Sequence, residues 1–360
     1  MEKFSNLSMI EALSNANGVS GFEDEVLAAA RQFVPAGAKM EEDSLRNLYI
    51  HRKENGGEGK VPTIQLDAHS DEVGFMVHAI RPDGTLKFIP MGGWVPSNIP
   101  AHRVRVKTAD GGYITGITTS KPPHFMNESE KNTPMTVDQM SIDVGASSRE
   151  EAIEKFGIRI AAPVVPDVTF EYNERQDLMI GKAFDCRLGC AALIATVREL
   201  DGVSLQTDVV AAMSSQEEAG MRGAEVSVNR VRPDIAIVFE GCPADDTVME
   251  PYMVQTAIKH GPMLRHIDAR MITNPRFQRF ALDLAVETGI PVQESVRTGG
   301  ATNGAPIHLA QQGIPVIVIG IPVRYIHTHY GIAAYSDYEN AVKLGVEVCK
   351  RLDRELIASF

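Results

Sequence analysis

Thr63-Ile64-Gln65-Leu66-Asp67-Ala68-His69-Ser70-Asp71 decides how the chain is read, because a strand-length, largely apolar run ends in an imidazole and a carboxylate. Thr63 to Ala68 reads as a buried strand and Gly74-Phe75-Met76-Val77-His78-Ala79-Ile80 as a second. His69 therefore stands at a strand exit. The arrangement recurs. Val209 to Met213 runs into Ser214-Ser215-Gln216-Glu217-Glu218, and Ile235-Ala236-Ile237-Val238-Phe239 ends in Glu240. His327 follows Val316 to Ile319 after the loop Ile321-Pro322-Val323-Arg324-Tyr325. In open α/β sheets ligands bind outside the carboxyl ends of the strands, so one crevice collects residues distant in sequence.

Outward from these strands the pattern alternates. Ser20-Gly21-Phe22-Glu23 has the form of a capping box, followed by Val26, Leu27, Ala30, Phe33 and Val34 at helical spacing. Cys186 to Leu200, Pro275 to Thr288 and Asp337 to Leu356 read as helices, and Asp208 to Met213, Asp234 to Glu240 and Pro315 to Ile319 as strands. Between about Ile80 and Pro166 the character changes to short β-prone runs (Leu86 to Ile89, Val104 to Val106, Tyr113 to Ile117) with one helical patch, Ser148 to Phe156. Pro-Asp-Gly, Met-Gly-Gly-Trp, Ala-Asp-Gly-Gly and Lys-Pro-Pro-His break them, a turn density that marks a small β-rich module. The fold class is α/β, with a mixed, parallel-rich sheet and helices on both faces. We expect residues 1–74 and 167–360 to form the main domain, with residues 75–166 inserted as a β-rich domain.

The 360 residues are 44% hydrophobic and 23% charged, the composition of a folded globular protein. A formal charge of −12 disfavours nucleic acid and anionic membrane as partners, since both need basic patches. No stretch reaches the roughly 18 apolar residues of a membrane span, and the start Met-Glu-Lys-Phe-Ser-Asn lacks signal-peptide character. The expected location is cytoplasmic. Cys186, Cys190, Cys242 and Cys349 are scattered like reduced thiols, and no second pair accompanies Cys186 and Cys190 to complete a structural zinc site.

A lone His69 or His327 is ordinarily just a polar residue, and a Glu-Glu pair a solvated surface. Here, however, apolar runs deliver several such groups to strand ends, where buried carboxylates without a cation would be costly. Carboxylates and imidazoles without thiolates suit Zn²⁺ or Co²⁺, with Mn²⁺ also possible. Two such ions about 3.5–4 Å apart need one bridging carboxylate. Asp185, just before a helix, is the natural bridge. Asp71 is placed to hydrogen-bond the ring nitrogen of His69 that a metal leaves free. Glu217 and Glu218, being adjacent, divide into one ligand and one general base.

These residues resemble the M42 family of metallo-aminopeptidases. The resemblance rests on Gly18-Val19-Ser20-Gly21-Phe22-Glu23, Ala68-His69-Ser70-Asp71-Glu72-Val73-Gly74, Lys121-Pro122-Pro123-His124 and Gly181-Lys182-Ala183-Phe184-Asp185-Cys186-Arg187. It continues through Ser214-Ser215-Gln216-Glu217-Glu218-Ala219-Gly220-Met221-Arg222-Gly223-Ala224, Gly299-Gly300-Ala301-Thr302-Asn303-Gly304-Ala305 and Arg324-Tyr325-Ile326-His327-Thr328-His329. It implies two metals, with His69 and Glu240 terminal on one, Glu218 and His327 terminal on the other, Asp185 bridging, Glu217 as base and Asp71 orienting His69. His327, rather than His329, holds the family's position. Glu240 stands where members commonly carry Asp, and Cys186 where they often carry an acid or Asn. The resemblance further implies a zinc-peptidase-like main domain, a PDZ-like inserted dimerisation domain, and dimers that can build a tetrahedral twelve-subunit particle.

The expected reaction is removal of N-terminal residues from peptides, with the substrate's free α-amine engaging one metal and limiting the enzyme to exopeptidase action. Arg297 or Arg324, near Gly299 and Gly300, would supply the cation of an acid-preferring pocket; both arginines have an alternative as structural ion-pair residues. Two other readings are a glycoside hydrolase, which needs two carboxylic acids and normally no metal, and a non-catalytic metal-binding assembly protein, which would not need Glu217.

Overall fold

A computed structural model describes residues 2–56 and 61–360. Its centre is an eleven-stranded sheet in which Asp208–Ser214, Thr63–His69, Ile235–Pro243 and Val316–Arg324 lie side by side and parallel. Antiparallel strands extend both edges: Leu48–His51 and Lys39–Glu42 on one side, Gly331–Ala334, Leu178–Gly181 and Glu171–Asn173 on the other.

The apolar runs of the central strands are explained by coverage on both faces. Ile235, Ile237, Phe239, Ile317 and Ile319 pack into the larger core with helices Phe184–Glu199 and Tyr335–Arg351. The alternate residues Ala236, Val238, Val316 and Val318 pack with helices Arg222–Val231 and Gly304–Leu309. This period-2 division between two helical layers is why neither face of the strands could be polar.

Gly74–Ile80, Leu86–Met91, Arg103–Lys107, Tyr113–Thr118, Ile142–Asp143 and Pro163–Pro166 close into an antiparallel barrel with its own core, including Phe75, Phe88, Val104, Val106 and Val164. Closure removes the exposed strand edges that such short, turn-broken runs would otherwise present.

Several local expectations are corrected. Helix Glu2–Asn15 opens the chain, and the next helix is confined to Asp24–Arg31. Ser20-Gly21-Phe22-Glu23 does not form a capping box: Ser20 Oγ donates to Asp71 at 2.6 Å, and Glu23 accepts from the Gly21 and Gln216 N–H groups. A tertiary partner outcompetes the local cap. The patch at 148–156 is a π-helical turn over Glu151–Lys155. The strand expected to stop at Ile319 continues to Arg324, paired along its length with Ile235–Pro243. The last long helix ends at Arg351, and Asp353 caps a separate helix, Arg354–Ser359. Among the described residues, no helix is long and apolar enough to cross a membrane.

Candidate metal centre and active site

The carboxyl ends of the four parallel strands converge on Asp185. Asp185 (φ −86°, ψ 105°) and Cys186 are non-helical, so the regular helix begins only after them and the Asp185 carboxylate projects from its entrance. The strand Ile235–Pro243 approaches this backbone so closely that a Cβ on Gly241 would lie 2.6 Å from the Phe184 carbonyl oxygen.

The two oxygens of Asp185 face different partners. Oδ1 is 2.9 Å from His69 Nε2, which is itself 3.3 Å from Glu240 Oε1. Oδ2 is 3.2 Å from His327 Nε2, which is 3.5 Å from Glu218 Oε1. Ligands held about 2.0–2.1 Å from a tetrahedral ion lie about 3.3 Å from one another. In each trio the imidazole nitrogen lies near that spacing from both carboxylates, and the two trios share one carboxylate. Glu240 Oε1 and Glu218 Oε1 are buried without a hydrogen-bond partner, the condition a cation relieves. The residues present therefore fit two ions. Cys186 lies within the first group, its Sγ donating to the Phe239 carbonyl at 3.2 Å. Cys190 Sγ donates to the His69 carbonyl at 3.0 Å. Burial pushes the Cys190 thiol up to about 12.

Electrostatics describe the same excess of acid. Burial drives Glu240 up to about 7 although His69 pulls it down, and Glu218 up to about 8 against His327 with Asp185 adding to the rise. Glu217 is pushed well above the ordinary carboxylate range by burial and by the charges of Glu240, Glu218 and Asp185, with His69 opposing. Burial disfavours protonation of His327, yet Asp185 and Glu218 raise it to about 10. Carboxylic acids retain protons here because burial outweighs the pull of the two imidazoles, and a bound cation would displace those protons.

Glu217 belongs to neither trio but adjoins both: its Oε2 is 3.9 Å from His69 Nε2, and with His69 and Glu218 it forms a third group whose donor atoms lie within 4.8 Å of one another. Asp71 braces this region. Its carbonyl and Oδ1 lie 3.2 and 3.3 Å from His69 Nδ1, and its carboxylate accepts the backbone N–H groups of Glu217 at 2.9 Å and Glu218 at 3.1 Å. Positive φ at Tyr325 (62°) and His327 (57°) turns the imidazole of His327 back toward Asp185.

The structure thus gathers His69, Asp71, Asp185, Glu217, Glu218, Glu240 and His327 in one cleft. It places the four pocket residues differently. Arg297 pairs with Asp245 at 3.2 Å and donates to the Thr256 hydroxyl, while Arg324 grips Asp246 with Nε at 2.9 Å and Nη2 at 2.7 Å. Both guanidinium groups are committed to structural acids. Gly299 and Gly300 lie on the loop after strand Gln293–Val296, with no neighbour within 4 Å of an added Cβ. Sequence reasoning missed the bracing roles of Ser20 and Glu23, whose motif read as a helix cap. His329, set aside in favour of His327 from the sequence, stacks on His102 at 4.0 Å and stays out of the cluster.

Fold and donor set define an α/β enzyme with a candidate metal-binding centre. Residues 47–344 match the M42 glutamyl aminopeptidase family. The chain is 32% identical over 358 residues to the putative aminopeptidase FrvX of Escherichia coli (strain K12), covering 99% of this chain and 98% of that one. The TET aminopeptidase of the marine sediment archaeon Thaumarchaeota archaeon SCGC AB-539-E09 superposes with a TM-score of 0.95 at 35% identity, covering 100% of this chain and 99% of that one. The Pyrococcus horikoshii TET1 peptidase superposes with a TM-score of 0.85 at 26% identity over 96% and 100% of the two chains. The chain belongs to the M42 family and is an enzyme of its aminopeptidase class.

Proposed function

We propose that the chain is a dinuclear, metal-dependent aminopeptidase that removes N-terminal residues from peptides. The observation that carries this is the division of Asp185 between two trios, one per oxygen, each completed by an imidazole and an unpartnered carboxylate. His69 and Glu240 would hold one ion, Glu218 and His327 the other, and Asp185 would bridge. Zn²⁺ or Co²⁺ suits this donor set, with Mn²⁺ the third choice. When bound, the ions supply Lewis acidity, acidifying water and polarising the scissile carbonyl. Glu217, outside both trios, takes the proton of the attacking water and returns it to the leaving amine. Asp71 acts by orienting His69 and fixing the Glu217 backbone, and so touches no substrate.

A glycoside hydrolase would need two carboxylic acids facing a sugar, whereas here two imidazoles are interleaved with the acids around a third. A non-catalytic metal-binding role leaves Glu217, half-buried among four other carboxyl groups, without a function. The inserted barrel as a dimerisation domain, with dimers assembling further, is supported by the likeness to the Pyrococcus horikoshii TET1 peptidase, described as assembling into a tetrahedron or a large octahedral shell. Four free cysteines agree with a reducing cytoplasm.

The test is hydrolysis of Leu-, Glu-, Lys- and Ala-p-nitroanilides by wild type and Glu217→Gln, with and without chelator and added Zn²⁺ or Co²⁺. Wild type is expected to be chelator-sensitive, and Glu217→Gln to keep two ions by elemental analysis while kcat falls about 10²–10⁴-fold. A fully active Glu217→Gln refutes the base, and a chelator-indifferent wild type refutes the metal.

A further inference from the structure

The two halves of the cleft are built from different parts of the chain. His69 Nδ1 is fixed by Asp71, two residues onward in the main domain. His327 Nδ1 instead donates to the carbonyl of Gly93 at 2.9 Å, on the turn that follows barrel strand Leu86–Met91. That bond holds the proton on Nδ1, so that Nε2, which faces Asp185, is the nitrogen that gives up its proton to a metal. The preceding residue reaches the other ligand: a Cβ on Gly92 would lie 2.8 Å from Glu218 Oε2, and one on Gly93 2.8 Å from His327 Nδ1. Only residues without side chains let this turn lie against both groups. Gly92 also has a φ of +79°, which bends the turn inward.

A second contact anchors the same strap. His329 is buried and stacks on His102 with ring centroids 4.0 Å apart and planes 6° apart, while Trp94, next to Gly93, approaches to 5.0 Å. Trp94 in turn stacks on Phe75 of the barrel core at 4.7 Å. The segment Tyr325 to His329 is therefore held at alternate residues by the barrel, His327 through Gly93 and His329 through His102 and Trp94.

We propose that the Met91-Gly92-Gly93-Trp94 turn of the inserted barrel is a positioning element for one half of the metal centre, so that the Glu218–His327 ion binds tightly only while the barrel is docked and the His69–Glu240 ion binds independently of it. Gly93 is a positioning residue: it fixes the tautomer and aim of His327 and touches neither substrate nor ion. The inference rests on the two-ion reading above and adds an asymmetry between the ions. It gives the barrel a part in the site itself.

The experiment titrates metal-free wild type, Gly93→Ala and His102→Ala with Zn²⁺ by calorimetry, with elemental analysis after gel filtration. Gly93 has an ordinary φ, so alanine is resisted only by the His327 ring. Gly93→Ala is expected to keep one ion at wild-type affinity and to weaken the other about 10–100-fold. Adding Glu218→Gln to it should leave the retained ion's affinity unchanged. Should Gly93→Ala not fold, His102→Ala, which removes the ring stacked on His329 and leaves Gly93 and His327 untouched, is expected to show the same one-sided weakening. Two ions at wild-type affinity in the folded variant, or equal weakening of both, overturns the proposal. Wild type that takes up no ion would instead overturn the two-ion reading, which keeps the two failures distinct.

Discussion

Two clusters of buried charge lie within a few residues of each other, and they are resolved in opposite ways. Glu72, fully buried, accepts from Lys182 Nζ at 2.6 and 2.8 Å, from Arg187 Nη2 at 3.3 Å and from the Gly18 N–H at 2.9 Å. Its charge is answered by the protein's own cations, and Arg187 also ties the carbonyls of Leu13, Ala16, Gly18 and Ser70 together. Among the described residues no lysine or arginine pairs with Asp185, Glu218 or Glu240, and Glu218 and Glu240 each keep an oxygen without a donor. The contrast teaches how to separate a structural from a functional buried acid: the first arrives with its counter-charge in the chain, and the second lacks one the chain could have supplied.

The strongest blow to this contrast is Asp185→Asn. It should abolish uptake of both ions and lower p-nitroanilide turnover by about 10³-fold or more, beyond what loss of a general base alone produces at its lower end. Retention of both ions would show that the trios do not depend on the shared carboxylate. Next in size is Lys182→Met, which leaves Glu72 only the longer Arg187 contact as counter-charge and should cost about 3 kcal/mol in urea unfolding of the metal-free protein. The double variant Lys182→Met/Glu72→Gln should recover part of that loss.

The smallest test concerns a third environment beside the other two. Burial, helped by the nearby His102, holds His329 down to about 3, whereas an unfolded histidine titrates near 6.5. Between those values the unfolded chain binds a proton that the folded one refuses, so stability falls as pH drops below about 6.5. From pH 7 to 5.5 this term should remove about 1 kcal/mol. His329→Phe should flatten that part of the profile, measured by denaturant unfolding with chelator present. His327, two residues earlier and facing Asp185 and Glu218, would bias the slope the other way, which makes the difference between wild type and variant the decisive quantity.

Much of this was legible from residue order. Runs such as Ile235 to Phe239 announce strands covered on both faces, and acids or imidazoles at their exits announce a crevice, because strand direction alone sends them to one end of the sheet. Less legible were interactions in which a distant partner displaced a local one. Ser20 and Glu23 carry helix-cap chemistry yet serve Asp71 and the backbone at Gln216. Arg297 and Arg324 read in sequence either as pocket cations or as ion-pair residues, and only the fold shows Asp245 and Asp246 engaging them. Gly92 and Gly93 read as turn formers, and nothing in their neighbourhood signals that the turn reaches Glu218 and His327.

By itself, then, the amino-acid sequence determined the α/β class, the parallel-rich sheet, the β-rich middle and the set of chemically able side chains, since these follow from local periodicity and residue type. Only the tertiary structure decided which oxygen of Asp185 faces which imidazole, which arginines are already paired and that the barrel touches the second half of the centre. Such facts depend on contacts a few ångströms long between segments up to hundreds of residues apart, and no local pattern encodes them.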